Sequence, residues 1–185
     1  MKKINFYDLS EVDELASPNE YINIDLDSSA LKIFTDFKYT KPLTIENSLS
    51  AVEIEKLMQK AHVRMKFVID EHNHFLGIVS LNELNQQNMI KKTDKSIKLS
   101  DLSIAEFMIP RSELKAIEYS DLKDLSIDDV MHALQDNGKQ HCLVLESKRH
   151  RIRGIISASD IARKLKVPID IQNRSTFIDI YKSIN

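Results

Sequence analysis

The sequence predicts an α/β fold in which two β-α-β-β-α units follow one another along 185 residues. One observation is a pair of amphipathic helices, each behind a serine cap. The second is a glycine-containing strand motif that occurs once behind each helix. The third is an apolar content of 42%, which is enough to bury a core for one or two domains. Interleaved strands and helices are typical of layered α/β domains.

The two predicted helices repeat both their apolar face and their cap. Apolar residues recur at i, i+3, i+4 and i+7 from Ile54 and again from Ile127, which describes one apolar helix face in each case. Ser50 and Ser126 stand before these faces with an acid three residues later, which is a capping-box pattern. Ile127 lies 73 positions after Ile54. The same separation relates two further pairs, Phe34 with Phe107 and Lys38 with Arg111.

A strand motif also repeats, with a glycine, two apolar residues, a serine and an acid three positions after the serine. It occupies residues 77–83 and residues 154–160, which are 77 positions apart. We place the four additional residues in the turn at 136–139, because Asn-Gly is a strong turn signal. Each unit then contains two short apolar strands joined by a polar turn, at 66–69 and 76–79 and at 142–145 and 153–156.

These repeats divide the chain into five parts. The parts are an acidic N-terminal arm at 1–24, a first unit at 25–92, a linker at 93–100, a second unit at 101–168 and a C-terminal helix at 169–185. Apolar residues at helical spacing predict that last helix behind two possible caps, namely Phe177, Ile178, Tyr181 and Ile184 behind Ser175 and Thr176. The two units use most of the chain, so we expect no attached catalytic or transport domain.

The composition argues against several classes of function. Three widely separated glycines exclude glycine-rich dinucleotide and phosphate loops. The single cysteine, Cys142, excludes an internal disulfide and paired-cysteine metal sites. No apolar run reaches the ~18 residues of a membrane span, and no secretory signal is evident, so we expect a cytoplasmic protein. A net charge of −2 gives no bulk attraction for nucleic acid.

The duplicated motif resembles a tandem pair of CBS (cystathionine-β-synthase) domains, a Bateman module of the stand-alone bacterial type. Residues 107–111, Phe-Met-Ile-Pro-Arg, are similar to the Met-Thr-Pro start of such domains, with Ile109 in place of threonine. The resemblance implies a regulatory, non-enzymatic module that binds AMP, ADP, ATP or S-adenosylmethionine in the cleft between the two domains. It also implies a homodimer. Because the two units use most of the chain, we expect the effector protein to be a separate partner, regulated in trans. From the residues we expect no covalent cofactor, no metal and no membrane or nucleic-acid partner.

The resemblance nominates two ligand sites. It assigns Asp160 to the ribose diol and Ser157 to ribose or phosphate, with Glu83 and Ser80 as their first-unit counterparts. From the residues alone, Asp160 falls in the first turn of a helix that Ser157 or Ser159 can cap, and a capped helix without ligand is the alternative interpretation. Glu83 is one methylene longer than aspartate, so the first site is either degenerate or functional.

The remaining candidates lie before the middle strands and at the start of the second unit. Arg64 and His141 are the expected phosphate contacts, although a histidine at the edge of a strand is the alternative for His141. Pro110 and Arg111 complete the expected nucleotide-binding set.

Two polar runs and one cysteine are expected to be structural. The basic run at 148–153 is interpreted as a hairpin turn, because no aromatic residue interleaves it to stack bases. The acidic and histidine-rich run at 70–74 is interpreted as a polar turn rather than a metal site. Cys142 is expected to be a small buried hydrophobe. Two other functions stay open: an interaction scaffold without a ligand, and a small nucleotide-directed enzyme, for which the chain offers no recognisable nucleophile or metal group.

Overall fold

The computed structural model describes residues 24–93, 97–135, 140–167 and 176–184. Most of the predicted N-terminal arm and the predicted turn at 136–139 lie outside the described residues. The strands are β1 Phe34–Asp36, β2 Thr44–Glu46, β3 Met65–Ile69, β4 Phe75–Ser80, β5 Ile109–Pro110, β6 Ala116–Glu118, β7 His141–Glu146 and β8 Arg151–Ser157. The helices are α1 Ala51–Lys60, α2 Gln86–Lys92, α3 Tyr119–Leu122, α4 Ile127–Gln135, α5 Ala158–Lys164 and α6 Phe177–Ile184.

The strands form two four-stranded sheets that exchange their edge strands. The first-half sheet has the order β2-β3-β4-β5, and the second-half sheet has the order β1-β8-β7-β6. In the chain β1 precedes β2, yet it pairs antiparallel with β8, and β5 precedes β6, yet it pairs antiparallel with β4. The predicted α/β class with two related units is confirmed, and the exchange of edge strands is a feature that the repeat alone did not predict.

The glycines of the duplicated motif permit the exchanged strands to approach closely. A Cβ atom added at Gly77 would lie 2.3 Å from the carbonyl oxygen of Ile109. A Cβ atom at Gly154 would lie 2.2 Å from the carbonyl oxygen of Thr35 and 2.2 Å from the ring of Phe34. Because any larger residue would collide with backbone, glycine at these two positions is required by the strand pairing.

Each hydrophobic core also contains a segment from the other half. The segment before β1 packs in the second-half core, and the segment before β5 packs in the first-half core. The buried residues they contribute are Ala30 and Ile33 to the second half, and Leu102, Ile104 and Phe107 to the first. A third cluster joins the two sheets face to face, through Phe67, Ile78, Leu143 and Ile155.

The C-terminal helix α6 covers the second half. Phe177 and Ile180 are buried in the second-half core, and α6 packs on α4 and α5. The Thr176 backbone N–H and hydroxyl each donate to Asp179 Oδ2 at 2.8 Å, so the predicted cap at Thr176 is confirmed. The other expected cap, Ser175, lies outside the described residues.

The structural register of the repeat differs from the predicted one. Both capping boxes are present, and the capping serines Ser50 and Ser126 align with each other. Ser126 lies 76 positions after Ser50. The equivalent of Ile54 is therefore Val130 rather than Ile127, and the predicted offset of 73 is wrong for the helices.

The additional residues lie before the second-half helix instead of after it. They form α3, whereas the prediction placed them in the turn at 136–139. The exchanged strands are also shifted by one residue from the predicted alignment. Asp36 pairs with Gly154 just as Pro110 pairs with Gly77, so Phe34 corresponds to Met108 rather than Phe107.

The segments that follow the last central strand of each half, β4 and β8, differ in structure. In the second half α5 begins directly after Ser157, as predicted. In the first half a turn follows Ser80, and α2 begins only at Gln86. Lys91 and Lys92 form the last turn of α2 at the end of the first unit. No helix in the described residues is long and apolar enough to cross a membrane.

Candidate ligand-binding site

The second-half candidates meet where β8 ends and α5 begins. Ser157 is the last residue of β8 and the N-cap residue of α5, but its hydroxyl makes no capping hydrogen bond. The Ala158 N–H instead donates to the Gln140 carbonyl at 3.0 Å. Ser159 follows within the helix and is exposed, so the expected cap by a serine hydroxyl is wrong at both positions. The Ser157 hydroxyl is consequently not committed to holding the helix.

Asp160 lies in the first turn of α5 with its carboxylate partly open to solvent. Its side chain is 30% exposed, and the guanidinium of Arg163, one turn further along, donates to Oδ1. The i,i+3 spacing brings these two side chains to one helix face. A carboxylate offers about four acceptor positions, so the pair with Arg163 leaves capacity for a diol.

His141 faces the same site from β7, where it pairs with Ser157 across the ladder. Its Nδ1 atom is inaccessible to solvent and has no hydrogen-bond partner among the described residues. Burial lowers the pKa of His141 to about 4, and the negative charge of Asp160 opposes this shift only in part. Because the imidazole is neutral near neutral pH, His141 offers hydrogen bonding and no charge to a phosphate.

The first-half candidates also come together, but in a different local geometry. Ser80 ends β4 opposite Met65, the residue in the place of His141. The Ser80 hydroxyl accepts from the Glu83 N–H at 3.4 Å, and the Leu81 N–H donates to the Arg64 carbonyl at 2.9 Å. The first-half serine therefore closes a turn, whereas the second-half serine does not.

Pro110 and Arg111 lie with the first-half sheet, because β5 is an exchanged strand. Pro110 pairs with Gly77, and Arg111 begins an exposed 3-10 helix that packs near β4. In the chain, Pro110 and Arg111 belong to the same unit as Asp160. In the structure they lie with the other sheet, and the strand beside β8, which carries Ser157, is β1.

The polar runs have the structural roles that were expected. Asp70 Oδ1 accepts from the N–H groups of His72 and His74 at 2.9 and 2.8 Å, which makes 70–74 a polar turn. Among the described residues no cluster of three or more His, Cys, Asp or Glu side chains could hold a metal. Residues 147–150 connect β7 and β8, so the predicted hairpin turn is confirmed there, whereas residues 151–153 belong to β8. Cys142 is buried, and burial raises the pKa of its thiol to about 11.

Sequence reasoning missed a charged network at the exchanged strand β1. Arg153 donates to both carboxylate oxygens of Asp36, at 2.6 and 2.8 Å, and to Glu146 at 2.6 Å. The signal that could have indicated it is the mid-strand Gly154, which marks a close approach by another backbone. This network borders a surface cavity formed around β1, and a second cavity lies between residues 24–27, residues 165–167 and α6. Asp160 lines neither of these two cavities.

Comparison with known proteins places the chain among CBS proteins. The family model for the CBS domain matches residues 35–86 and 122–167. An uncharacterized conserved protein from Pyrococcus horikoshii is 17% identical with a TM-score of 0.56, over 80% of this chain and 98% of that one. The conserved CBS domain protein TA0289 from Thermoplasma acidophilum, of unknown function, is 20% identical with a TM-score of 0.51, over 82% and 76%.

One further structure carries ligands. The CBS domain pair of the protein MJ0100, solved in complex with 5′-methylthioadenosine and S-adenosyl-L-methionine, is 19% identical with a TM-score of 0.50, over 74% of this chain and 98% of that one. No curated protein matches the chain. The two family matches fall on the two halves and together cover more than half of the residues, and the chain belongs to the CBS domain family.

Proposed function

We propose that this CBS pair is a regulatory module that binds an adenosine-containing ligand at the second-half site of Ser157, Asp160 and His141. The observation that carries the proposal is the buried His141 Nδ1, which has no partner among the described residues. A buried polar atom without a partner costs about 1–3 kcal/mol, so a ligand that supplies a hydrogen bond is favoured there. The ligands in the MJ0100 structure are both adenosyl compounds, which supports this ligand class.

Each of the three side chains has a role suited to such a ligand. The Asp160 carboxylate accepts hydrogen bonds from the two ribose hydroxyls, and the Ser157 hydroxyl, which caps no helix, binds an adjacent polar group. The neutral His141 ring pairs with an uncharged nitrogen or hydroxyl. The first-half site of Ser80 and Glu83 is the weaker one in this proposal, because its serine closes a turn.

The proposal extends to assembly and signalling. Leu57 on α1 and Ile90 on α2 are 47% and 60% exposed, which supports pairing of two chains through the first-half helices. Ligand occupancy changes the geometry of the paired chains only if the ligand binds two arrangements with different affinity. The module then acts on an effector protein in trans, without catalysis of its own.

A ligand-free interaction scaffold is the second candidate function. It is favoured by the pairing of Asp160 with Arg163 and by the fact that Asp160 lines neither of the two cavities described above. A scaffold predicts no thermal stabilisation by any adenosyl compound. A true ligand at a hundredfold excess over its dissociation constant stabilises by about 2.7 kcal/mol.

Calorimetric titration with AMP, ADP, ATP and S-adenosylmethionine tests the proposal. At least one ligand should bind the wild-type protein, and Asp160→Ala should weaken it by at least tenfold while costing less than about 1 kcal/mol of fold stability. Glu83→Ala is the matched control and should leave that affinity within about twofold. If all four ligands fail to bind, or bind both variants equally, the second-half assignment is wrong.

A further inference from the structure

A second concave site lies at the outer side of β1, away from the proposed nucleotide site. It is a surface cavity of about 480 Å³ whose apolar walls are Leu31, Phe34, Tyr39 and Tyr119. Pockets of roughly 300–1,000 Å³ with mainly apolar and aromatic walls are typical of small-molecule sites. Tyr39 is 79% exposed at the mouth, so its ring has a free face for stacking.

A fixed ionic network supports the cavity. Asp36 lines it, and Arg153 holds both Asp36 oxygens and one oxygen of Glu146 through three hydrogen bonds of 2.6–2.8 Å. These three side chains are only 14–19% exposed. The hydrogen bonds from Arg153 lower the pKa of Asp36, so this carboxylate stays ionised and is already neutralised by the guanidinium. Because its charge is balanced by Arg153, the Asp36 carboxylate does not select a cationic ligand.

Two further cations lie at the aromatic walls. The Lys38 ammonium is 5.5 Å from the centre of the Tyr39 ring, and the Lys123 ammonium is 4.9 Å from that of Tyr119. Neither lysine forms a salt bridge within the described part of the chain. With one guanidinium shared by two acids and two ammonium groups beside the rings, the sum of these charges is positive. An anionic group on a ligand is thus favoured at the rim.

One free hydroxyl group completes the lining. Thr40 lines the cavity, and its hydroxyl makes no hydrogen bond to the other described residues. It can donate to or accept from a bound molecule. Aromatic walls, a free hydroxyl and positive charge at the rim together match a flat ring that carries an acidic substituent.

Among the described residues, the first half does not repeat the polar and aromatic groups of this cavity. Pro110 takes the place of Asp36, because Asp36 pairs with Gly154 and Pro110 pairs with the equivalent Gly77. Leu76 takes the place of Arg153 beside that glycine. Tyr119 belongs to α3, the helix that only the second half contains. The duplicated fold alone therefore does not account for the groups that form this cavity.

We propose that this cavity binds a small planar aromatic carboxylate, at a site separate from the nucleotide site. The ring stacks against Tyr39, the Thr40 hydroxyl orients it, and its carboxylate lies near Lys38 and Lys123. The Tyr119 ring is already covered by the Arg153 guanidinium, whose central carbon lies 4.5 Å from the ring centre, and so forms the wall beside the ligand. This site does not depend on the proposed adenosyl ligand, because Ser157, Asp160 and His141 are not part of its lining.

The test uses two probes that share an indole ring and differ in charge, indole-3-acetate and tryptamine. Titration of the wild-type protein, followed by calorimetry, should show indole-3-acetate binding at least tenfold more tightly than tryptamine. Lys123→Gln should weaken indole-3-acetate by threefold or more, because it removes one rim cation from an exposed position that the fold does not need. Lys60→Gln, an exposed lysine of α1, is the matched control and should change nothing.

Three outcomes with the two probes and the two lysine variants would overturn the proposal. They are failure of indole-3-acetate to bind, equal affinity for the two probes, and an equal response to Lys123→Gln and Lys60→Gln. Asp160→Ala separates this site from the nucleotide site, because it should leave indole-3-acetate binding within twofold. A loss of binding in that variant would place the probe in the nucleotide site and reject the separate cavity.

Discussion

The two halves of the molecule share a backbone plan and differ in polar content. Both have a capped helix, a central antiparallel strand pair and a mid-strand glycine against which an exchanged strand lies. At equivalent positions the first half has Met65, Leu76 and Pro110, and the second half has His141, Arg153 and Asp36. The two halves thus share the features that the sheets need, while partly buried polar side chains take the place of apolar ones at these positions of the second-half sheet.

The halves differ also in what covers their helices. In the second half α6 lies across α4 and α5 and buries Phe177 completely. On the first half, Leu57 and Ile90 stay exposed among the described residues. A fold with internal pseudo-symmetry therefore presents two unlike outer surfaces, one closed by its own chain and one open.

Removal of the α6 anchor should have the largest effect on this comparison. Phe177→Ala deletes a fully buried ring and should lower the free energy of unfolding by about 3–5 kcal/mol, measured by urea denaturation. Lys60→Ala, at an exposed position of α1 in the first half, is the matched control and should change it by less than about 0.5 kcal/mol. A loss below about 1 kcal/mol for Phe177→Ala would mean that α6 is not part of the second-half core.

Substitution of the two equivalent glycines tests whether the halves depend equally on strand exchange. Gly154→Ala and Gly77→Ala should each cost about 1–3 kcal/mol, since the new methyl group meets a backbone carbonyl at 2.2 or 2.3 Å. Gly154→Ala should cost more, because its methyl group also meets the Phe34 ring. If chemical denaturation shows both variants as stable as wild type, β1 and β5 do not pair as closely as described.

Replacement of His141 by its first-half counterpart should have the smallest effect, confined to acid pH. The unfolded chain binds a proton at this histidine as the pH falls below about 6.5, and the folded protein does so only near 4. Wild-type stability should therefore fall between these values, and His141→Met should remove that loss, about 1–2 kcal/mol at pH 5. Unfolding curves at pH 8 and pH 5 measure it, and an equal difference at both would contradict a buried neutral histidine.

Local features of the fold could be predicted from the sequence, because they depend on neighbours a few residues apart. The capping serines Ser50 and Ser126, the apolar strands and the cap at Thr176 are of this kind. The ion pair of Asp160 with Arg163 could also have been predicted from the sequence, because charges at i,i+3 meet on one helix face.

Contacts across the chain could not be predicted in this way. Asp36 and Arg153 are 117 residues apart, and Gly154 indicates that another backbone approaches there without indicating that Asp36 arrives with it. The predicted repeat offset failed for a related reason: apolar helix positions recur every three or four residues, so a face can be matched one turn out of register. The capping serines fix the register without that ambiguity.

The exchange of edge strands has a consequence for how the protein folds during synthesis. As the polypeptide leaves the ribosome, β1 emerges long before β8, the strand against which it is finally seated. Until β8 has been synthesised, β1 has no strand to pair with. One edge of β4 likewise stays unpaired until β5 has been synthesised. Contacts so distant along the chain slow folding, so we expect the native state to form only after synthesis, in one concerted step that joins both halves.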